Sequence, residues 1–345
     1  MISGISKQAN TLYPLSHPQL RILYSEELYP NTSMQSVLTS FVLSGEYSID
    51  ILSEAINLVI KQTDGLRLRL KRDKREIKQY VFPFEEKPIE YYDFSSDNQG
   101  LQNWLHIQSQ KPIPLYNSCL YTFAIYKNVE GFYCLFFKAH HIIKDGGSRK
   151  ILIEGILEAY KSLEKNLAYT LPKASYVALL KGESSYKLSP IFEKHRAFWL
   201  DKFQRFASHT RIFDERITQH NPVSKRKRFV FTKEEITEIG QYIGEADTSL
   251  FRLFLVNFRL FLGFTYIIFQ RISGKQEMVL GAPLNNRSSA AYKEALGMFV
   301  NMVPFHLSAK TESTFIDLLN TIKTELKENI SSQDYPYDLL IQDIR

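Results

Sequence analysis

The stretch KAHHIIKDGGS at 138–148 decides how the rest of the chain is read. It sets two adjacent histidines, His140 and His141, behind an apolar run, and places Asp145, Gly146 and Gly147 in front of an amphipathic one. Upstream, CLYTFAIY (119–126) and FYCLFFK (132–138) are aromatic-rich runs of strand length, separated by KNVEG, a loop of hairpin length. Downstream, SRKILIEGILEAYKSL (148–163) has the apolar period of a helix. The histidines therefore fall in a tight strand-to-helix connection. There Gly146 and Gly147 admit backbone conformations that other residues resist, and the first N–H groups of the helix point into the loop. Successive residues of an extended backbone alternate faces, so His140 and His141 are expected on different sides, one facing a cavity and the other packed behind it. A purely structural role for both histidines stays open at this point.

Working outward, strands and helices interleave without repeats or low-complexity tracts, which makes the architecture mixed α and β. SIDILSEAINLVIKQ (48–62) spaces its apolar residues for a helix with Ser48 as N-cap. LRLRL reads as the next strand and IKQYVF as its hairpin partner. The chain of 345 residues, 44% of them hydrophobic, fits two lobes better than one compact domain.

Composition narrows the function classes. No signal peptide opens the sequence. The most apolar segment, LFRLFLVNFRLFLGFTYIIF (250–269), carries Arg252, Asn257 and Arg259 and reads as a buried helix, so no membrane span is expected. Cys119 and Cys134 have no CxxC spacing, and the eight histidines show no metal-binding pattern. No metal and no disulfide are expected, and the cytoplasm suits the chain. Its formal charge of +6 is interspersed, and the one dense basic run, SKRKR (224–228), reads as a solvated loop instead of a nucleic-acid patch.

HHIIKDG resembles the HHxxxDG motif of the condensation domains of nonribosomal peptide synthetases, in the superfamily that includes chloramphenicol acetyltransferase. Other blocks follow the family's order. SHPQLRILY (16–24) resembles its opening SxAQxRLW block, TDGLRLRL (63–70) its RHExLRTxF block, and SYVALL (175–180) with FEKHRAFWLDKF (192–203) its mid-chain segment. LGAPLNNR (280–287) is similar to IGTPxxxR, LGMFVNMVPF (296–305) to IGxFVNTxxxR, and SQDYPYDLL (332–340) to HQDYPFE. Gly147 stands where many members carry an aromatic residue, Met302 replaces a usual Thr, and Gln62, Thr63, Asp64 and Gly65 replace RHE-type residues. The first two departures imply a wider cavity near the motif. The third, with PLSHPQLRILYSEELYPNTS, looks most like starter condensation domains, which join a fatty acyl group to the first amino acid of a lipopeptide. A short stretch before the first block, and an ending before the family's RDxSRNPL-like block, are read as a chain with little upstream docking segment and a C-terminally truncated second lobe.

The resemblance implies two chloramphenicol acetyltransferase-like lobes in a V, here assigned to 1–168 and 169–345, with the motif loop at the seam and the 280–287 block reaching across it. It implies amide formation between a donor acyl thioester, fatty acyl or peptidyl, and the α-amine of an aminoacyl thioester. Both would arrive on phosphopantetheine arms of carrier domains, with an adenylation domain adjacent and no cofactor bound directly; CoA could carry the donor instead. His141 is implied as the group that takes a proton from the attacking nitrogen or aims it, and the Gly146 N–H as the oxyanion donor. Asp145 would turn away from the cavity and pair with Arg287, holding the loop. His140 would pack behind it, with direct chemistry as its other reading. Gly147, Ser148 and Asn301 would line the tunnel, with core packing an equal reading for the latter two. A free-standing acyl-CoA-dependent acyltransferase and a noncatalytic condensation-like module remain the alternatives.

Overall fold

The structure, a computed structural model, describes residues 11–169, 174–204, 227–242, 250–310 and 312–344. In chain order the elements begin with β1 (Tyr13–Pro14), α1 (His17–Leu28), β2 (Ser36–Val42), α2 (Ile49–Gln62), β3 (Leu68–Asp73), β4 (Glu76–Val81), β5 (Glu90–Asp93) and α3 (Asn98–Gln110). They continue with β6 (Tyr121–Lys127), β7 (Tyr133–His140), α4 (Gly146–Glu164), α5 (Tyr176–Lys187), α6 (Pro190–Gln204), α7 (Lys233–Tyr242) and α8 (Leu250–Ser273). The last are β8 (Glu277–Leu284), α9 (Ala290–Glu294), β9 (Asn301–Ser308), α10 (Phe315–Ile330) and α11 (Tyr337–Asp343).

Two compact units result, one of Met1–Phe192 with Asn285–Val300, the other of Glu193–Leu284 with Asn301–Arg345. Residues 174–192 and 285–300, which the sequence reading places in the C-terminal lobe, thus pack with the first unit. Local chemistry explains the attachment of α5: the Asp64 carboxylate accepts the Tyr176 and Val177 N–H groups at 3.0 and 3.1 Å and the Ser175 hydroxyl, capping the helix from the loop before β3.

In the first unit a sheet of order β2-β7-β6-β5 is covered on both faces. Leu135, Phe137 and Ala139 of β7 join Leu52, Ile56 and Val59 of α2 and Leu152, Ile156 and Ala159 of α4 in one core. Cys134 and Phe136, of opposite parity, pack with Leu101 and Trp104 of α3. Burial on both faces is why FYCLFFK is continuously apolar instead of alternating. Its one charged member, Lys138, is buried and donates Nζ to the carbonyls of Gln108, at 2.6 Å, and Lys111, at the end of α3. A second sheet, β1-β4-β3, contains the expected hairpin, and α2 begins at the expected cap, with Ser48 Oγ accepting the Ile51 N–H.

The second unit holds the antiparallel pair β8-β9 with α8 and α10. Here one expectation is corrected. Leu260, Leu262 and Tyr266 of α8 are buried, but Phe261, Phe264, Ile268 and Ile272 are exposed, so from residue 260 onward the helix is covered on one side only; the side chains of 250–257, Arg252 and Asn257 among them, lie outside the described residues. No described helix is long and apolar enough to cross a membrane. Of SKRKR, residues 224–226 lie outside the described residues, and Lys227 and Arg228 are exposed. Among the described residues no cluster of three or more His, Cys, Asp or Glu is placed to hold a metal, and Cys119 and Cys134 are free thiols.

Candidate active site

β7 ends at His140, and His141–Ile143 forms a single 3-10 turn before Asp145 caps α4. Asp145 is fully buried. Its Oδ1 accepts the Ser148 N–H at 2.9 Å, the Ser148 hydroxyl at 3.0 Å and the Arg287 guanidinium at 2.7 Å; its Oδ2 accepts the Phe299 N–H at 3.1 Å. Arg287, also buried, donates Nη1 to the carbonyls of Tyr292 and Ala295 at 2.5 and 2.6 Å and stacks on the Phe299 ring with 4.4 Å from Cζ to the centroid. The pairing of Asp145 with Arg287 is the one expected. Its setting is not: Arg287 belongs to the 285–300 segment that packs inside the first unit, so the pair lies within one unit.

The network settles what the neighbouring residues touch. Ser148, one of the proposed lining residues, is buried; its single hydroxyl hydrogen is shared between Asp145 Oδ1 and the Gly297 carbonyl, 2.9 Å away, and its oxygen accepts the Gly297 N–H at 3.2 Å. A Cβ on Gly147 would stand 2.8 Å from Arg287 Nε, so the missing side chain makes room for the guanidinium. Asn301, at the start of β9, is buried in the second unit and donates its amide to the carbonyls of Gln333 and Tyr335, both at 2.8 Å, tying the QDYP block to the strand. Gly146 is the first residue of α4 and is exposed. Its N–H has no partner within the helix by geometry and sits at the positive end of the helix dipole.

The two histidines are held in opposite ways. His141, half-buried, places Nδ1 2.9 Å from the Lys144 carbonyl. A carbonyl only accepts, so Nδ1 carries the hydrogen and the lone pair of the neutral ring is left on Nε2. This is the tautomer a proton acceptor needs, fixed by the loop's own backbone. His140, 1% exposed, instead accepts the Ile142 N–H on Nδ1 at 3.2 Å, which puts its hydrogen on Nε2. Its parity on β7 is that of Cys134 and Phe136, the face that packs on α3.

Lys144 is 4% exposed, and its Nζ lies 5.4 Å from the centre of the Phe137 ring. Burial pushes its ammonium down to about 8, with the Asp145 carboxylate opposing and Arg149 adding to the shift. The folded state therefore binds this proton less readily than the unfolded chain between pH 8 and 10.5, and stability should rise with pH across that window. Below it the charged side chain costs roughly 3 kcal/mol. Lys144→Met is expected to stabilise the protein by about that much at pH 7, with the gain vanishing near pH 10.5 as urea midpoints of the two forms converge.

Residues not singled out by sequence support the loop from the opening block. Ser16 caps α1, and Gln19 donates to the Ile142 carbonyl at 3.1 Å while exchanging amide hydrogen bonds with buried Gln79 at 2.8 and 2.9 Å. The S-x-x-Q spacing of Ser16 and Gln19 is a visible capping-box signal, but the partners of Gln19 are not. Arg21 donates to the Val300 carbonyl at 3.0 Å. In the second unit, Arg196 of FEKHRAFWLDKF holds Asp343 by two bonds of 2.9 and 3.0 Å, and the Trp199 indole donates to the Ser332 carbonyl at 2.9 Å.

The condensation domain family model matches residues 9–345. A plipastatin synthase subunit of Bacillus subtilis (strain 168) is 28% identical over 337 residues, covering 96% of this chain and 13% of the relative. Surfactin synthase subunit 1 of the same organism is 28% identical over 348 residues, covering 97% of this chain and 9% of the relative. The chain thus spans only a small part of the curated relatives it matches. Among solved structures, the first condensation domain of the calcium-dependent antibiotic synthetase, in complex with a substrate analogue, superposes with a TM-score of 0.78 at 18% identity, covering 97% of this chain and 78% of that one. The starter condensation domain of rhizomide synthetase in complex with C8-CoA superposes with a TM-score of 0.82 at 20% identity, covering 97% and 75%. The mixed α/β fold is that of condensation domains, and with the family model spanning nearly the whole sequence, the chain belongs to the condensation domain family.

Proposed function

We propose that this condensation domain joins a fatty acyl thioester to the α-amine of an aminoacyl thioester, as the first amide-forming step of a lipopeptide synthetase. Amide formation is the activity of the family. The observation that carries the reading for this chain is the HHIIKDG turn, in which His141 is locked with Nδ1–H on the Lys144 carbonyl and a lone pair on Nε2. The fatty acyl donor draws support from the starter-type solved structure with its C8-CoA and from the lipopeptide synthases among the relatives.

In the proposed reaction the acceptor nitrogen attacks the thioester carbon, the carbonyl oxygen becomes an oxyanion, and collapse releases the donor thiol and leaves an amide. A free α-amine has a pKa of about 7.7 to 8, so its neutral form costs only about 1 kcal/mol to populate at pH 7. His141 therefore has little deprotonation to do beforehand. Its Nε2 aims the nitrogen, takes the proton that the nitrogen sheds as the C–N bond forms, and gives it to the departing sulfur as the C–S bond breaks, which leaves the thiol and a neutral ring. The Gly146 N–H, at the start of α4, stabilises the oxyanion. Asp145, Arg287, Ser148 and Phe299 keep the turn in place. Carrier domains bearing phosphopantetheine arms are the proposed sources of both thioesters, with an adenylation domain supplying the aminoacyl group.

A competition experiment tests the donor. With equimolar acetyl-, octanoyl- and dipeptidyl-thioesters and one aminoacyl thioester, the octanoyl amide should dominate the products by mass spectrometry. Preference for the dipeptidyl donor would overturn the starter reading, and, with an equimolar free alcohol added as a second acceptor, transfer of the octanoyl group to the alcohol in preference to the amine would overturn amide formation.

A further inference from the structure

Helix α1 holds the histidine turn at three points, of which two are hydrogen bonds already plain in the geometry. Gln19 takes the Ile142 carbonyl, and Ser25 Oγ accepts the Gln35 amide at 2.9 Å while the Gln35 carbonyl accepts the His141 N–H at 2.7 Å. The third point is Glu26. It is 8% exposed, and its Oε2 lies 3.6 Å from Nε2 of His140, itself 1% exposed. Neither atom has a hydrogen-bond partner among the described residues, and at 3.6 Å each is the other's nearest polar match, within reach of a hydrogen bond after a shift of a few tenths of an ångström. An acceptor-only carboxylate thus faces the nitrogen that carries the His140 hydrogen, while the opposite ring nitrogen receives the Ile142 N–H.

The geometry points to Glu26 as a positioning residue for acyl transfer: it holds His140 in the Nε2–H form, and that form keeps the turn that presents His141. Were His140 to carry its hydrogen on Nδ1, two donors would oppose each other at the Ile142 N–H, and the turn would open. A doubly protonated His140 would meet the same conflict, so Glu26 acts as acceptor to a neutral ring. The chain is α1 to Glu26, Glu26 to His140, His140 to Ile142, and Ile142 to the neighbouring His141, all inside the first unit. This inference rests on the reading that His141 meets the substrate.

Glu26 also forms part of the wall of a cleft of about 550 Å³ lined by Glu27, Arg72, Pro112 and Tyr116 among others. At its rim Arg72 is engaged by Glu27 at 3.4 Å and by the Tyr116 hydroxyl at 3.1 Å. The cleft gives a small carboxylate a route to the site that Glu26→Ala would vacate.

The test combines ¹⁵N-histidine NMR, which reads tautomers without any substrate, with acyl-transfer kinetics on Glu26→Leu, Glu26→Gln and Glu26→Ala. Wild type should show His140 as the Nε2–H tautomer and Glu26→Leu a mixture. In Glu26→Leu kcat should fall about tenfold to a hundredfold with KM for donor and acceptor unchanged, the signature of a misplaced group. Glu26→Gln, whose amide oxygen still accepts, should recover most of the lost rate. Formate should raise the rate of Glu26→Ala where chloride at equal ionic strength does not. An unchanged tautomer and rate in Glu26→Leu would overturn the inference, as would a rate loss with the tautomer intact and no response to formate. If wild type forms no amide, the reading of the site fails on that result, while the tautomer spectra still decide the role of Glu26.

Discussion

Arg287→Ala is expected to destabilise the first unit by about 3 to 5 kcal/mol. The reason is the asymmetry of a buried ion pair: assembling it gains little net energy, but removing one partner strands the other. Asp145 would keep its bonds from Ser148 and Phe299 and lose the guanidinium at 2.7 Å, while the carbonyls of Tyr292 and Ala295 would lose their donor. Against a typical total of about 5 to 15 kcal/mol this is a large fraction. Each unit carries one tryptophan, Trp104 in the first and Trp199 in the second, so urea titration of fluorescence in a Trp199→Phe background reads the first unit alone. The transition should move to lower urea with its slope unchanged. A midpoint within error of wild type would show that the pair is not what holds the loop. Loss of activity in this variant would follow from the opened turn, so it is no measure of a chemical role for Arg287.

His141→Ala should behave in the reverse manner. The side chain is half-buried and its one hydrogen bond is to the Lys144 carbonyl, which α4 and its cap hold independently, so the urea midpoint should change little. The rate of amide formation should fall by roughly 10²- to 10⁴-fold, the range of a positioned general base, with KM for both thioesters preserved. The size of the fall separates two contributions. A loss near the lower end fits an imidazole that mainly aims an amine already close to neutral, and a loss near the upper end fits proton removal in the transition state.

The sequence made much of this site legible, and the limits have physical causes. The apolar periods of 48–62, 119–126, 132–138 and 148–163 each produced the expected element, because both faces of the four-stranded sheet are covered and the flanking helices are amphipathic. The alternation of an extended chain separated His140 from His141, and the family blocks identified Arg287 as the partner of Asp145. Position along the chain did not tell where the 285–300 segment packs. Phe299 closes on Asp145 through its backbone N–H, and Gly297 meets Ser148 in the same way, contacts that leave no trace in side-chain pattern. Gln19, Gln79 and Glu26 were missed because polar residues on a helix or strand read as solvated until the fold buries them. Ser148 and Asn301, offered as lining residues, have their polar groups engaged by backbone within their own units. The residues of α8 carry enough apolar side chains for burial all round, and hydrophobicity alone could not show that Phe261 and Ile268 face outward.

The most direct test of the central claim is a single-turnover reaction of the protein with octanoyl thioester and an aminoacyl thioester, followed by intact-mass analysis of the products. The account predicts an N-octanoyl aminoacyl thioester, with one equivalent of donor thiol released per amide formed, and, at the time wild type completes its turnover, at most about a hundredth as much product from His141→Ala. Donor thiol released only with free octanoate, or equal amide from both proteins, would contradict it.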